Sequence, residues 1–279
     1  MITISAHTRI VCVIGDPIAH SLSPAMHNAA FRHLGLDYAY VAFHVRPSQL
    51  KAAVAGFRAL QIAGVNVTVP HKEKILSLLD VVSSTSRRAG AVNTVINRDG
   101  RLHGENTDVF GFRMAVADCG VELRGARVVV IGAGGAARAV LVALADARVA
   151  EVRLFNRTIA RARRLARPFA TRSMKLATMG LVELSRTDLA DVDLVVNTTS
   201  LGLKGEKFPR LDYASSARDT AFFDLVPKAA TNFLQAARRA RRRALDGTGM
   251  LLHQGAAAFE LWTGHPAPIE IMRRALRRG

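Results

Sequence analysis

The sequence predicts an α/β fold in two domains, and three observations carry that prediction. Strand-like and helix-like runs alternate through the first hundred residues. A fresh apolar strand, glycine-rich turn and long apolar helix begin again near residue 123. The 279-residue length also exceeds that of the usual single domain. With 49% of residues apolar, the chain has ample material for two cores.

The elements follow in order. "RIVCVIG" (9–15) reads as a buried strand and "PAMHNAAFRHLG" (24–35) as a helix closed by Gly35. "YAYVAFHV" (38–45) is a second strand, "PSQLKAAVAGFRAL" (47–60) a second helix and "IAGVNVTV" (62–69) a third strand. Strands and helices at this spacing imply βαβ units and a largely parallel sheet. "AVNTVINRDGRLHGENTD" (91–108) reads as two short strands around an Asp99-Gly100 turn. A helix from about Val109 to Asp118 leads to "LRGARVVVIGAGGAARAVLVALADA" (123–147), and further strands are expected at 151–155, 193–197 and 221–225. The final stretch, "MLLHQGAAAFELWTG" and "PIEIMRRALRR", is helical.

The formal net charge is +17, from 39 basic and 22 acidic residues. Its basic runs, "RRARRR" (238–243) and "RRALRR" (273–278), lie in alanine-rich helical sequence and read as solvated faces. No aromatic interleaving and no zinc-finger spacing support nucleic-acid reading. A positive field also suits an anionic substrate and cofactor. Cys12 and Cys119 stand far apart in apolar surroundings and read as small core residues of a cytosolic protein. No run approaches the roughly 18 to 20 apolar residues of a membrane span, so a cytoplasmic protein without a membrane partner is expected. His20, His27, His71 and His103 lack ligand spacing with a Cys or Glu, and no metal is expected.

Residues 132–137 read G-A-G-G-A-A, which fits G-x-G-x-x-G/A between a strand and a helix. Gly132 permits the tight turn, Gly134 lets backbone N–H groups approach a pyrophosphate, and Ala137 keeps the helix close to the sheet. At the end of the next strand, an NAD-binding chain places an acid for the ribose 2′-hydroxyl. Here the residues are Asn156, Arg157, Thr158 and then Arg161. A guanidinium and neutral hydrogen-bonding groups accept a 2′-phosphate that an acid would repel, so NADP(H) is the expected cofactor.

Before that unit, "NVTVPHKEKI" (66–75) ends a strand and at once presents Lys72, with Thr68 four residues behind it. "GDPIAHSLSPAMHN" (15–28) places Ser21 and Ser23 just before a helix, a pairing that suits a carboxylate. "GAVNTV" (90–95) offers Asn93, and "GENTDVFGF" (104–112) offers Asp108 at a helix start. Each alone fits an N-cap or a turn.

Together, in this order and with "GAGGAARA", "FNRT", "NTTSLGL" and "GMLLHQGAAAFELW", these stretches closely resemble the shikimate dehydrogenase family over nearly the whole chain. The resemblance implies NADPH-dependent, reversible reduction of 3-dehydroshikimate to shikimate, in the chorismate pathway of aromatic amino acid biosynthesis. It points to Lys72 and Asp108 as the catalytic pair beside the reacting oxygen. It suggests Ser21 and Ser23 for the carboxylate of a small anionic cyclic polyol acid, with Thr68, Asn93 and Gln254 on ring hydroxyls. It places Gly132, Ala133, Gly134, Gly135 and Ala136 on the pyrophosphate, and Asn156, Arg157, Thr158 and Arg161 on the adenosine phosphate. Leu225 and Gly247 fall near the nicotinamide. It also implies a substrate domain of residues 1–107 with 248–279, a Rossmann-type dinucleotide-binding domain of residues 108–247, and an active-site cleft between them. A monomer or homodimer is expected.

One departure stands out. The family places a tyrosine three residues after the aspartate ending a late Rossmann strand, where it helps hold the substrate carboxylate. In "FFDLVPKAATNFL" (222–234), counting from Asp224 reaches Pro227, and the segment before Thr231 is one residue short. Losing a hydroxyl contact to a charged group costs about 1.5 to 3 kcal/mol. Quinate or an aminoshikimate is therefore an alternative substrate, and a catalytically weak NADP-binding sensor an alternative role, although a sensor has no need of Lys72 and Asp108.

Overall fold

The computed structural model describes residues 4–169, 174–201, 208–227 and 230–277. Gly202 and Leu203 of the "NTTSLGL" stretch, Lys228 and Ala229 after Pro227, and Arg278 of the last basic run lie outside the described residues. The chain divides into two compact units, Met1–Gly111 with Leu251–Gly279, and Phe112–Met250.

In the first unit, β1 (Arg9–Gly15), α1 (Ser23–Leu34), β2 (Tyr38–His44), α2 (Leu50–Ala59) and β3 (Gly64–Val67) form the expected βαβ run. Pro24 sits in the first turn of α1, and Gly35, at φ 64°, ends it in the left-handed conformation that favours glycine. Met26, His27, Ala30 and Phe31 make the buried stripe of α1. β4 (Val81–Val82) and α3 (Ser84–Ala89) follow, then β5 (Thr94–Arg98) and β6 (Arg101–Glu105).

The strand order is β2-β1-β3-β5-β6-β4. β1 runs parallel to β2 and β3, but β5 is antiparallel to both β3 and β6. The sheet is thus mixed, where alternation alone implied a largely parallel one. The cause is local. Asp99 and Gly100 both take positive φ, 52° and 84°, and a two-residue turn of that kind joins only antiparallel strands.

The C-terminal helices α8 (Thr248–Thr263) and α9 (Ile269–Leu276) supply Leu252, Phe259, Trp262 and Met272 to the core shared with β1, β2 and α1. Trp262 Nε1 donates to the Val95 carbonyl at 2.9 Å, lying flat on β3 because residue 64 is glycine. A Cβ at Gly64 would stand 2.1 Å from Trp262 Nε1. This contact sets the height of α8, and so the position of Gln254 two turns earlier.

α4 (Asp108–Asp118) precedes the second sheet, and the division into units falls inside α4 and α8. β7 (Arg127–Ile131), α5 (Gly135–Asp146), β8 (Glu151–Asn156), α6 (Ile159–Ala166), β9 (Lys175–Gly180), β10 (Leu194–Asn197), β11 (Ala221–Asp224), α7 (Asn232–Arg239) and β12 (Arg243–Leu245) follow. All pairings are parallel and the order is β12-β11-β10-β7-β8-β9, the doubly wound arrangement of a Rossmann sheet. α5 is apolar nearly all round. Its fully buried Val140, Leu141, Val142 and Leu144 each contribute about 1.5 to 3 kcal/mol. Cys12 is buried, and burial pushes its thiol up to about 12, whereas Cys119 is only half-buried. Among the described residues no helix is long and apolar enough to cross a membrane.

Candidate active site

Strand direction assembles the site of the first unit. β1 and β3 are parallel, so their C-terminal ends, leading to Ser21 and to Lys72, share one side of the sheet. β5 runs back against β3, which puts its start, next to Asn93, on that same side. β6 reverses again and delivers Asp108 there. The hairpin that makes the sheet mixed therefore also brings Asn93 and Asp108 to Lys72. Backbone bonds hold the register: Val67 N donates to the Asn93 carbonyl and Val92 N to the Lys72 carbonyl, both at 2.8 Å.

Lys72 Nζ donates to Asp108 Oδ2 at 2.6 Å, with side chains 15% and 6% exposed. Asp108 Oδ1 accepts from Asn93 Nδ2 at 2.9 Å. The carboxylate thus holds one donor on each oxygen, as a shielded ion pair requires. The Asn93 amide is itself fixed: its oxygen accepts from Thr107 N at 2.7 Å, and its nitrogen also donates to Thr107 Oγ1 at 2.9 Å and Gln254 Oε1 at 3.2 Å. Lys72, Asn93, Asp108 and Gln254 are therefore one hydrogen-bonded cluster.

Ser21 and Ser23 lie at the start of α1, whose N-cap position, Leu22, supplies no side-chain cap. Ser21 Oγ instead accepts from Ser23 N at 3.3 Å. Thr68 N donates to the Ile14 carbonyl at 3.0 Å, which fixes the backbone of this half-buried residue at the ends of β1 and β3. Such hydroxyls and amides at a helix start suit an anionic polyol, and the cluster beside them can move a proton.

The second unit carries the residues expected at the nucleotide. β7 and β10 are neighbours whose connections leave in opposite directions, the switch point where doubly wound sheets bind ligands. Gly132 has φ 110°, and a Cβ there would stand 2.5 Å from Thr198 Oγ1. Gly134 caps α5 without a side-chain hydrogen bond, and nothing lies within 4 Å of where its Cβ would be. The turn Gly132, Ala133, Gly134, Gly135, Ala136 therefore leaves the helix N-terminus open, a fit for a pyrophosphate. Asn156 Nδ2 donates to the Thr158 carbonyl at 2.9 Å, shaping a loop on which Arg157 and Thr158 are exposed, with Arg161 exposed in the first turn of α6. Leu225 N donates to the Asn197 carbonyl and Gly247 N to the Val226 carbonyl, each at 3.0 Å, so both residues lie by the C-terminal end of β11.

Asp224 ties the start of the segment after β11 to Thr231. Asp224 Oδ2 accepts from Thr231 Oγ1 at 2.7 Å, and Oδ1 from Asn197 Nδ2 at 3.0 Å. Burial raises the pKa of Asp224, and these hydrogen bonds work against the shift. Pro227 is exposed, and the half-buried Tyr213 packs against Phe222 of the core. No described residue of this segment offers a phenol.

Sequence reading did not single out Asn66, Thr94, Thr107 or Tyr40, all of them buried polar residues behind the cluster. An asparagine inside an otherwise apolar strand, and a threonine beside each of Asn93 and Asp108, were the available signals. Among the described residues no group of three or more His, Cys, Asp or Glu could hold a metal ion.

Family comparisons cover most of the chain. Residues 13–95 match the shikimate dehydrogenase substrate binding domain, residues 114–236 the shikimate / quinate 5-dehydrogenase family, and residues 247–277 the shikimate 5'-dehydrogenase C-terminal domain. A Magnetococcus marinus protein named shikimate dehydrogenase (NADP(+)) is 42% identical, over 99% of this chain and 98% of its own. The crystal structure of shikimate dehydrogenase from Aquifex aeolicus superposes with a TM-score of 0.91 at 40% identity, covering 99% of this chain and 100% of that one. Shikimate 5-dehydrogenase from Thermus thermophilus, solved in complex with NADP(H) and shikimate, gives 0.85 at 39% identity, over 97% and 99% of the two chains. With similarity of this strength running from end to end, the chain belongs to the shikimate dehydrogenase family.

Proposed function

We propose that this protein is an NADP-dependent oxidoreductase that reversibly reduces 3-dehydroshikimate to shikimate. The observation that carries the reading is the Lys72–Asp108 pair, locked to Asn93 and Gln254 beside the hydroxyls of the first unit. When bound, NADPH supplies the hydride for the ring-ketone carbon. Lys72 Nζ gives a proton to the oxygen on which negative charge develops. Asp108 keeps that ammonium aimed, with Asn93 holding the second carboxylate oxygen. Ser21 and Ser23 bind the substrate carboxylate, and Thr68, Asn93 and Gln254 pair with ring hydroxyls. In the second unit, residues 132–136 hold the pyrophosphate, Asn156, Arg157, Thr158 and Arg161 the adenosine phosphate, and Leu225 and Gly247 border the nicotinamide. The enzyme acts in the cytoplasm as a monomer or homodimer, with no nucleic-acid or membrane partner.

The absence of a phenol on the segment from Asp224 to Thr231 favours a second reading, in which quinate or an aminoshikimate is the better substrate. Steady-state oxidation of shikimate and quinate, each with NADP and with NAD, decides between them. The proposal expects the highest kcat/KM with shikimate and NADP. Preference for quinate would transfer the assignment to that acid. No turnover of either acid alongside tight NADPH binding would favour a sensor.

A further inference from the structure

A file of buried hydrogen bonds runs through the first unit from Tyr40 to Asp108. Tyr40 is 2% exposed, and the His27 ring stacks on it at 4.5 Å with an interplanar angle of 3°. Its hydroxyl donates to Asn66 Oδ1 at 2.7 Å. That fixes which way the Asn66 amide faces, so Nδ2 donates to Thr94 Oγ1 at 3.2 Å and to the Asn93 carbonyl at 3.3 Å. Register makes this possible, since Asn66 and Thr94 are direct cross-strand partners. With Asn66 donating to it, the Thr94 hydroxyl has a single proton to give, towards Thr107 Oγ1 at 3.1 Å or Asn93 Oδ1 at 3.3 Å. Either choice supports the Asn93 amide with its oxygen on Thr107 N and its nitrogen on Asp108. Turned over, that amide would set an oxygen against the carboxylate.

On the shikimate dehydrogenase reading, we infer that Tyr40 and Thr94 are positioning residues for the proton-transfer pair: through Asn66 they fix the orientation of the Asn93 amide, and with it the second donor on Asp108. Neither needs to touch the substrate. Each hydrogen bond is ordinary alone, but in a dry network the loss of one leaves the next group unpaired.

The test compares shikimate oxidation by Tyr40→Phe, Thr94→Val, Thr94→Ser and the double variant Tyr40→Phe/Thr94→Val with wild type. Tyr38→Phe serves as control, because the phenol it loses lies on the same strand but bonds Arg9 Nη1 and the Trp262 carbonyl, outside the Tyr40–Asn66–Thr94 file. The inference expects kcat to fall about tenfold in Tyr40→Phe and in Thr94→Val, with KM in Thr94→Val changed less than about threefold. Thr94→Ser should keep the wild-type kcat, and the double variant should be no more than about twofold below the worse single one. A purely structural role predicts a lowered Tm with kcat within twofold of wild type, as for Tyr38→Phe, and that result would overturn the inference. Multiplicative effects in the double variant would overturn it too. Should Tyr40→Phe not fold, the Thr94→Val and Thr94→Ser contrast decides by itself. Wild type that fails to oxidise shikimate would instead overturn the underlying reading, and the inference with it.

Discussion

Replacing Asp108 by asparagine removes one charge while keeping the shape of the side chain. The carboxylate accepts from Lys72 Nζ at 2.6 Å and from Asn93 Nδ2 at 2.9 Å. An amide can accept on only one side, so its own NH2 must face either the Lys72 ammonium or the Asn93 amide, donor against donor. One charge-assisted hydrogen bond is lost outright and the other loses its charged acceptor, each step worth about 1.5 to 3 kcal/mol, or tenfold to 150-fold. Both losses fall on the Lys72–Asp108 pair that takes up the hydroxyl proton in this direction, so kcat for shikimate oxidation should drop by about 10² to 10⁴. Substrate affinity should change much less. Stability should also fall, because Lys72 is left poorly paired at 15% exposure. Removing one partner of a buried pair costs about 3 to 5 kcal/mol, and partial hydration of Lys72 puts the value near the lower end. NADPH formation followed spectrophotometrically, together with urea unfolding, measures both. A kcat within threefold of wild type would refute the role given to this pair, and an unchanged unfolding midpoint would refute its energetic description.

Three further outcomes are expected. Arg157→Glu sets a negative charge where a 2′-phosphate is expected, so KM for NADP should rise about 10- to 150-fold while KM for NAD changes little, as initial rates with each cofactor would show. Gly132→Ala forces a Cβ onto Thr198 Oγ1, which is anchored to the Ile131 carbonyl at 2.8 Å, at a φ of 110°. About 1 to 3 kcal/mol of stability and most NADPH affinity should be lost, measurable by denaturant titration and fluorescence binding. His27 is fully buried with neither ring nitrogen hydrogen-bonded, and burial lowers its pKa from 6.5 to about 3. The unfolded chain takes up a proton below pH 6.5 that the folded one refuses until about pH 3, so this residue makes stability fall on acidification, by about 1.4 kcal/mol per pH unit across that window. Urea midpoints between pH 7 and pH 4 should therefore decline less steeply in His27→Phe than in wild type.

Much of this was legible in the sequence, for identifiable reasons. β1, β7 and α5 are continuous apolar runs with clear punctuation, and they stand where periodicity puts them. The Asp99-Gly100 turn announced the hairpin, yet its consequence for the whole sheet was not drawn from alternation alone. β9 and β12 went unread because they are edge strands at the two ends of the second sheet, partly exposed and without a buried run. β4 and α3 are too short to carry a period. Among site residues, Lys72, Asn93 and Asp108 stood out as polar groups at element ends. Gln254 had no such signal: its place depends on Trp262 lying against Gly64, a contact between residues far apart in sequence. Tyr40, Asn66 and Thr94 look like ordinary strand residues until cross-strand register aligns them.

The central claim is that Lys72 gives and takes the proton in an NADP-linked oxidation of shikimate. Its most direct test is the steady-state rate of that oxidation by wild type and by Lys72→Met, with NADPH affinity measured on both. Wild type should turn over, and Lys72→Met should lose at least about 10² in kcat while binding NADPH within twofold of wild type. A Lys72→Met protein that oxidises shikimate at the wild-type rate would contradict the account.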